Sequence, residues 1–166
     1  MKIYKFLVKP FLSDDEYVEY FEFMKGHLIK LYGKDAVNQE NFDSWKANRK
    51  NCKHPKFYIK MFCDDKICGY ADLLITNTNQ LYFCDVIIEE KYRRSLLLFE
   101  FLKFVVNRAE FNDFDEVFFH INHRNQTSLS TFKHLGYELE EEFERSNKFK
   151  ISRENILKYI DNLKRR

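Results

Sequence analysis

Residues 81–109 read LYFCDVIIEEKYRRSLLLFEFLKFVVNRA. The stretch opens on β-branched, aromatic and aliphatic residues from Leu81 to Ile88, the composition of a buried strand. It turns polar at Glu89-Glu90-Lys91 and passes Arg93 and Arg94. It then continues with Leu98, Phe101, Leu102, Val105 and Ala109 at helical spacing. The pattern predicts a strand, a short turn and a helix whose first turn lies near Ser95 to Leu98. The first amides of a helix have no partner inside it, and with the helix dipole they attract an anion, typically a phosphate. Arg93 and Arg94 stand at the same corner, which makes it a candidate seat for a phosphate-bearing ligand. The plainer alternative is a strand–helix corner whose arginines are merely solvated.

Outward from this stretch, 166 residues suffice for one domain with a sizeable core. Only 4 Gly and 2 Pro argue against low-complexity linkers and for mostly regular structure. A net charge of +2 forces no basic face, so bulk attraction to nucleic acid is not expected. The opening MKIYKFLVKPF lacks the apolar core of a secretory signal, and no apolar run approaches the ~20 residues of a membrane span. The expected location is therefore cytoplasmic, with no membrane partner. Cys52, Cys63, Cys68 and Cys84 then read as reduced thiols. Cys52, His54, Cys63 and Cys68 match no strong zinc spacing, and no metal site is expected.

Along the chain, Met1 to Val8 alternates as a strand. Ser13-Asp14-Asp15-Glu16 is a capping box, and Tyr17, Phe21, Met24, Leu28 and Leu31 follow on one helical face that Gly33 ends. Val37 to Asn51, anchored by Phe42 and Trp45, predicts a second, shorter helix. Lys56–Cys63 and Ile67–Thr76 form a hairpin about Asp64-Asp65-Lys66, and Asn77-Thr78-Asn79 turns into the strand at Leu81. After the long helix come a turn at Asn112-Asp113, an apolar strand Glu116–Ile121, and a polar junction His123-Arg124-Asn125. A short helix Gln126–Leu135 ends at Gly136. A final hairpin pairs Tyr137–Glu144 with Lys148–Ile151 about Ser146-Asn147. Ser152 caps a last helix with Ile156, Leu157, Ile160 and Leu163 inward. The order β-α-α-β-β-β-α-β-α-β-β, with an extra C-terminal helix over 152–166, implies one mixed α/β domain spanning 1–166.

Three segments in this order resemble the GNAT superfamily of N-acetyltransferases. Asp64 to Ile75, DDKICGYADLLI, looks like that family's acidic turn followed by I-x-G-Y/F. Asp85-Val86-Ile87-Ile88-Glu89-Glu90-Lys91-Tyr92-Arg93 is similar to its D-L-x-V-x-P-x-Y-R approach to the cofactor loop. Asn125 to Tyr137 resembles its N-x-x-A-x-x-x-Y-x-x-x-G-F helix. The resemblance implies a GNAT-like fold and transfer of an acetyl group from acetyl-CoA, as substrate, to an amine. It also implies that the pantetheine arm pairs with the backbone at Val86 and Ile88. The pyrophosphate would sit on the loop Arg93-Arg94-Ser95-Leu96-Leu97-Leu98, and Asn125 and Phe132 would meet the cofactor.

The departures bear on the chemistry. Leu96 and Leu98 stand where the family's loop, written R/Q-x-x-G-x-G/A, has its glycines, which let the backbone approach phosphate without a Cβ in the way. Arg93 and Arg94 could compensate through charge-assisted contacts; alternatively the leucines are core and the pocket is closed. Phe132 stands where the family often has a tyrosine that protonates the leaving thiolate. Asp85 is the one carboxylate in an apolar strand and the candidate base. Buried, it would have a raised pKa; alternatively strand alternation turns it to the sheet face opposite its neighbours, to be hydrogen-bonded or wet. His120, His123 and His134 read as structural or solvated, and Cys84 as an inert buried thiol.

The leading expectation is an acetyl-CoA-dependent N-acetyltransferase acting by direct transfer to a small-molecule or protein amine. Its unidentified acceptor would bind between the two N-terminal helices and the final hairpin. Tyr17, Tyr20, Phe21, Phe42 and Trp45 are aromatic candidates there, mostly core. Glu140-Glu141-Glu142 is a possible attractor for a cation or simply a solvated face. The alternative is a non-catalytic GNAT-fold module for binding or scaffolding, in which Ser152 to Arg166 offers a partner or homodimer surface.

Overall fold

Ser13 caps the first helix as the capping box requires: its hydroxyl accepts the Glu16 amide, and the Glu16 carboxylate accepts the Ser13 amide at 2.9 Å. The structure is a computed structural model and describes residues 2–76, 80–93, 95–111, 114–133 and 135–164. The turns expected at Asn77–Asn79 and Asn112-Asp113, together with Arg94, His134 and the tail Arg165-Arg166, lie outside the described residues.

The elements run β1 (Tyr4–Lys9), α1 (Asp14–Tyr32), α2 (Gln39–Asn51), β2 (Lys56–Cys63), β3 (Lys66–Ile75), β4 (Leu81–Ile88), α3 (Leu97–Asn107), β5 (Glu116–Asn122), α4 (Gln126–Lys133), β6 (Glu138–Glu142), β7 (Ser146–Ser152) and α5 (Arg153–Lys164). Among the described residues, seven strands form one mixed sheet in the order β1-β2-β3-β4-β5-β7-β6. All neighbours are antiparallel except β4 and β5, which are parallel and joined through α3. The β2–β3 turn works because Asp64 and Asp65 adopt φ of 50° and 63°, which short polar side chains tolerate.

Each face of the sheet carries a core. On one, Ile59, Met61, Leu73, Leu81 and Phe83 pack with Phe101 and Val105 of α3 and Ile156 and Ile160 of α5. On the other, Tyr58, Tyr70 and Ile87 pack with Tyr17, Tyr20, Phe21 and Met24 of α1. The C-terminal helix therefore caps the α3 face through its apolar side. Among the described residues no helix is long and apolar enough to cross a membrane.

Several element ends shift by one to three residues from expectation, and two of the shifts have a visible cause. The second helix begins at Gln39, because the Asn38 side chain accepts the Asn41 amide at 2.8 Å and caps it there. The last hairpin turns at Phe143–Arg145 rather than at Ser146-Asn147. Ser146 and Asn147 instead pair with Asn122 and Ile121, so the length of β5 draws the turn back.

Candidate active site

The parallel pair β4–β5 is joined only from Leu81–Phe83 to Val117–Phe119. Beyond Phe83 the strands part. Val86, Ile87 and Ile88 keep their β3 partners Ala71, Tyr70 and Gly69, while His120 to Asn122 pair with β7. The cause lies in the register. Asp85 pairs with Asp72 and Phe83 with Leu73, so Cys84 is an extra residue, a bulge that bends β4. The bulge also reverses strand alternation. Leu81 and Phe83 face α3, whereas Ile87, an even number of residues on, faces α1. Asp85 shares the α1 side with Ile87. Gly69 permits the crowded end of this arrangement, since a Cβ there would stand 2.8 Å from the Ile87 carbonyl oxygen and 3.0 Å from Met61 Sδ.

The parted strands open a cleft lined by His27, Val86, Ile88, Arg93, Asn125 and Phe132. Its inner end adds Cys84, Asp85 and His120. At the outer end Arg93 donates from Nε to the Ile88 carbonyl at 2.9 Å, which fixes the guanidinium against β4. Ser95 donates its hydroxyl to the Tyr92 carbonyl and accepts the Leu97 amide, so the Ser95 and Leu97 amides are both engaged within the loop. Leu97 is the leucine of the core. Leu96 is 60% exposed and Leu98 lines the cleft, so the cleft stays open where the glycines are missing. The amides of Leu98 and Phe99 belong to the first turn of α3 and have no intrahelical partner to reach.

Across the cleft, Asn125 caps α4, accepting the Ser128 amide through Oδ1 at 3.2 Å. Phe132 packs on Phe119, the rings tilted by 34° with centroids 4.6 Å apart, and forms the opposite wall. Arg124 donates to the Leu31 carbonyl at 3.2 Å and ties the end of α1 to this wall.

Asp85 lies at the inner end and belongs to an ion cluster. Arg49 of α2 donates from Nη2 to Asp85 at 2.7 Å and from Nε to Asp72. Asp72 is fully buried, and its second oxygen has no hydrogen-bond partner among the described residues. Burial pushes both carboxyls up, against the pull of Arg49, that of Asp85 to about 6. Burial alone would lower Arg49, but Asp72 and Asp85 override it and keep the guanidinium charged. The Cys84 thiol is raised by burial and then by Asp72, and so stays protonated.

The other histidines sort by place. His123 bonds Asn147 at 2.8 Å, outside the cleft. His120 packs against the rings of Tyr82 and Phe143, and burial and then Lys148 lower its pKa. Sequence reasoning missed His27, whose imidazole lines the cleft and its inner end and is lowered by burial, then by Arg93. It shares the stripe Tyr20, Met24, Leu31 at helical spacing, which was the signal for it. Arg49 was missed too, because nothing local links α2 to two strands. The aromatic candidates Tyr17, Tyr20 and Phe21 are buried core. Phe42 and Trp45 pack on them, and none of the five lines the cleft. Glu140 pairs with Lys148 at 2.6 Å, while Glu141 and Glu142 are exposed.

Residues 15–137 match the family model described as the acetyltransferase (GNAT) family. No curated protein sequence matches. Solved structures agree with the fold. Apo FdhC, described as a nucleotide-linked sugar GNAT, has 13% identity and a TM-score of 0.70, covering 96% of this chain and 93% of its own. The spermidine N-acetyltransferase of Vibrio cholerae, in complex with CoA and spermine, has 9% identity and a TM-score of 0.65, with 92% and 98% covered. The N-acetyltransferase PseH of Campylobacter jejuni, in complex with acetyl coenzyme A, has 14% identity and a TM-score of 0.61, with 91% and 99% covered.

Proposed function

The chain belongs to the GNAT acetyltransferase family, and on that premise we propose that it transfers the acetyl group of acetyl-CoA directly to an amine. A single domain, residues 1–166, carries the activity in this reading. The observation that supports it most is the parting of β4 from β5 with Asp85 at its inner end and Arg93 with the start of α3 at its outer end. An extended thioester substrate fits that layout. The open edge of β4 at Val86 and Ile88 offers backbone groups to the amides of the pantetheine arm. Arg93 and the first-turn amides of α3 offer donors to the pyrophosphate. Asn125 and Phe132 form the far wall. Arg94 remains a candidate from the sequence alone.

In the chemistry we assign, the amine nitrogen attacks the thioester carbonyl carbon, the C–N bond forms and the C–S bond breaks. The sulfur leaves as thiolate, and the ammonium proton passes to the Asp85 carboxylate. A carboxyl near pH 6 is ionised at pH 7 yet more basic than an ordinary aspartate, which suits this task. Phe132 has no proton to give, so the thiolate takes its proton from water. Four free cysteines fit a reducing compartment, the cytoplasm.

The alternative, a non-catalytic module, rests on Leu96, Leu98 and Phe132. Leu96 points to solvent and Leu98 borders the cleft, so neither fills it. The test is thiol release from acetyl-CoA with primary amines, spermine and short peptides among them. We expect turnover with at least one amine, an acid limb near pH 6, and a large loss in Asp85→Asn. Acetyl-CoA that binds but releases thiol with no amine would favour the module. Full turnover in Asp85→Asn would remove Asp85 as the base.

A further inference from the structure

The cluster beneath α2 does more than neutralise a buried aspartate. After the Cys84 bulge, β4 has no β5 partner to fix the direction of its side chains. Asp85 is instead held by Arg49, whose Nη2 reaches it at 2.7 Å while Nε is bound to Asp72 on β3. The guanidinium is planar, so it cannot turn toward one carboxylate without leaving the other. Asp72 is fully buried, which anchors the far end. The Arg49 guanidinium also lies 5.8 Å from the Trp45 ring, which limits its swing.

We propose that Arg49 and Asp72 are positioning residues for Asp85, fixing its carboxylate at the inner end of the cleft and setting its strength as a base. The proposal rests on the reading of Asp85 as the proton acceptor. Two carboxylates and one guanidinium give the cluster one negative charge. Accepting the amine's proton leaves it neutral. Without the Asp72 charge the cluster would start neutral, and Asp85 would hold a proton less tightly. Without Arg49 it would start doubly negative, and Asp85 would hold a proton more tightly. The pair titrates as a unit, so its midpoints belong to the cluster. The tyrosines, Cys84 and Lys56 around it hold one protonation state through the acid limb. Tyr20 of α1 and Tyr82 and Cys84 of β4 are all raised by burial, and Lys56 of β2 acts on Asp72. His27 and His120 border the inner end of the cleft with lowered pKa values.

The test is a ¹³C carboxyl NMR titration of the full chain, with the Asp85 signal identified by its loss in Asp85→Asn. Asp72→Asn is expected to lower the Asp85 midpoint by about one pH unit or more, and Arg49→Gln to raise it by a similar amount. The acid limb of thiol release from acetyl-CoA with spermine, or with whichever amine the screen finds active, should move in the same two directions. A merely structural role would lower the rates without moving the limb. Midpoints that stay put, or move the same way in both variants, overturn the proposal. Should Arg49→Gln fail to fold, the near-isosteric Asp72→Asn decides alone: a lowered midpoint supports the proposal and an unchanged one overturns it. Midpoints that shift as expected while the acid limb stays fixed overturn the part in the reaction. Full activity in Asp85→Asn instead overturns the base assignment on which the proposal rests.

Discussion

Replacing Asp85 by asparagine should stabilise the protein at neutral pH even as it removes the proposed base. The fold lifts this carboxyl from its ordinary 3.8 to about 6, chiefly by burial, with Asp72 adding to the rise and Arg49 opposing it. Between those two values the folded chain keeps a proton that the unfolded chain has released. Stability therefore falls as pH rises through that window. A rise of that size corresponds to about 3 kcal/mol. The Asp85 side chain is 29% exposed, and the water that reaches it makes about 3 kcal/mol a ceiling. Asparagine cannot ionise and escapes the loss. The assay is urea unfolding of both proteins from pH 4 to pH 8, followed by fluorescence of Trp45, the one tryptophan, on α2. The variant should match the wild type near pH 4 and exceed it by up to about 3 kcal/mol above pH 6. Glu16, held at about 2 chiefly by Lys9, and Asp14, held at about 2 by Lys46 and Lys50, lose their stabilising contribution as pH falls. Both proteins share those losses, so they cancel in the difference. A difference that stays flat with pH, or that favours the wild type at pH 7, would refute the view that the fold stores cost at Asp85.

Other outcomes follow from the same geometry. Gly69→Ala should cost about 1–3 kcal/mol by forcing β4 away from β3 and Met61, read as a lowered Tm, and it should weaken acetyl-CoA binding because the displaced strand lines the cleft. Ser13→Ala should cost about 1 kcal/mol by releasing the start of α1, read by urea unfolding. Phe132→Tyr should raise kcat for thiol release on the order of tenfold, with the Kd for acetyl-CoA unchanged, because in the proposed reaction a phenol on the cleft wall supplies a proton to the leaving sulfur.

Much of the fold was legible because its signals are local. Period-two and period-3.6 patterns, the Ser13 capping box, the Asp64-Asp65 turn and the strand–turn–helix at 81–109 each follow from neighbouring residues and these elements form, although Leu157, expected on the inner face of the last helix, is exposed. The hairpin turn near Phe143 was misplaced because its position depends on how far β5 extends, a long-range pairing. Of the residues that the family resemblance singled out, Val86, Ile88, Arg93, Leu98, Asn125 and Phe132 border one cleft. Leu97 turned inward and Leu96 outward, which the helix phase alone did not assign. Arg49 was invisible because its role depends on the Cys84 bulge, a two-against-one register between β3 and β4 that carries no sequence pattern of its own. His27 was readable from its stripe on α1 but sits on a face otherwise given to core residues.

Calorimetric titration of the purified protein with acetyl-CoA, repeated with Arg93→Ala, tests the central claim most directly. The account predicts micromolar binding by the wild type and affinity about tenfold weaker or worse in the variant, from the loss of a charged donor at the outer end of the cleft. No heat and no thermal stabilisation at millimolar acetyl-CoA would contradict it, and the parted strands would then need another occupant.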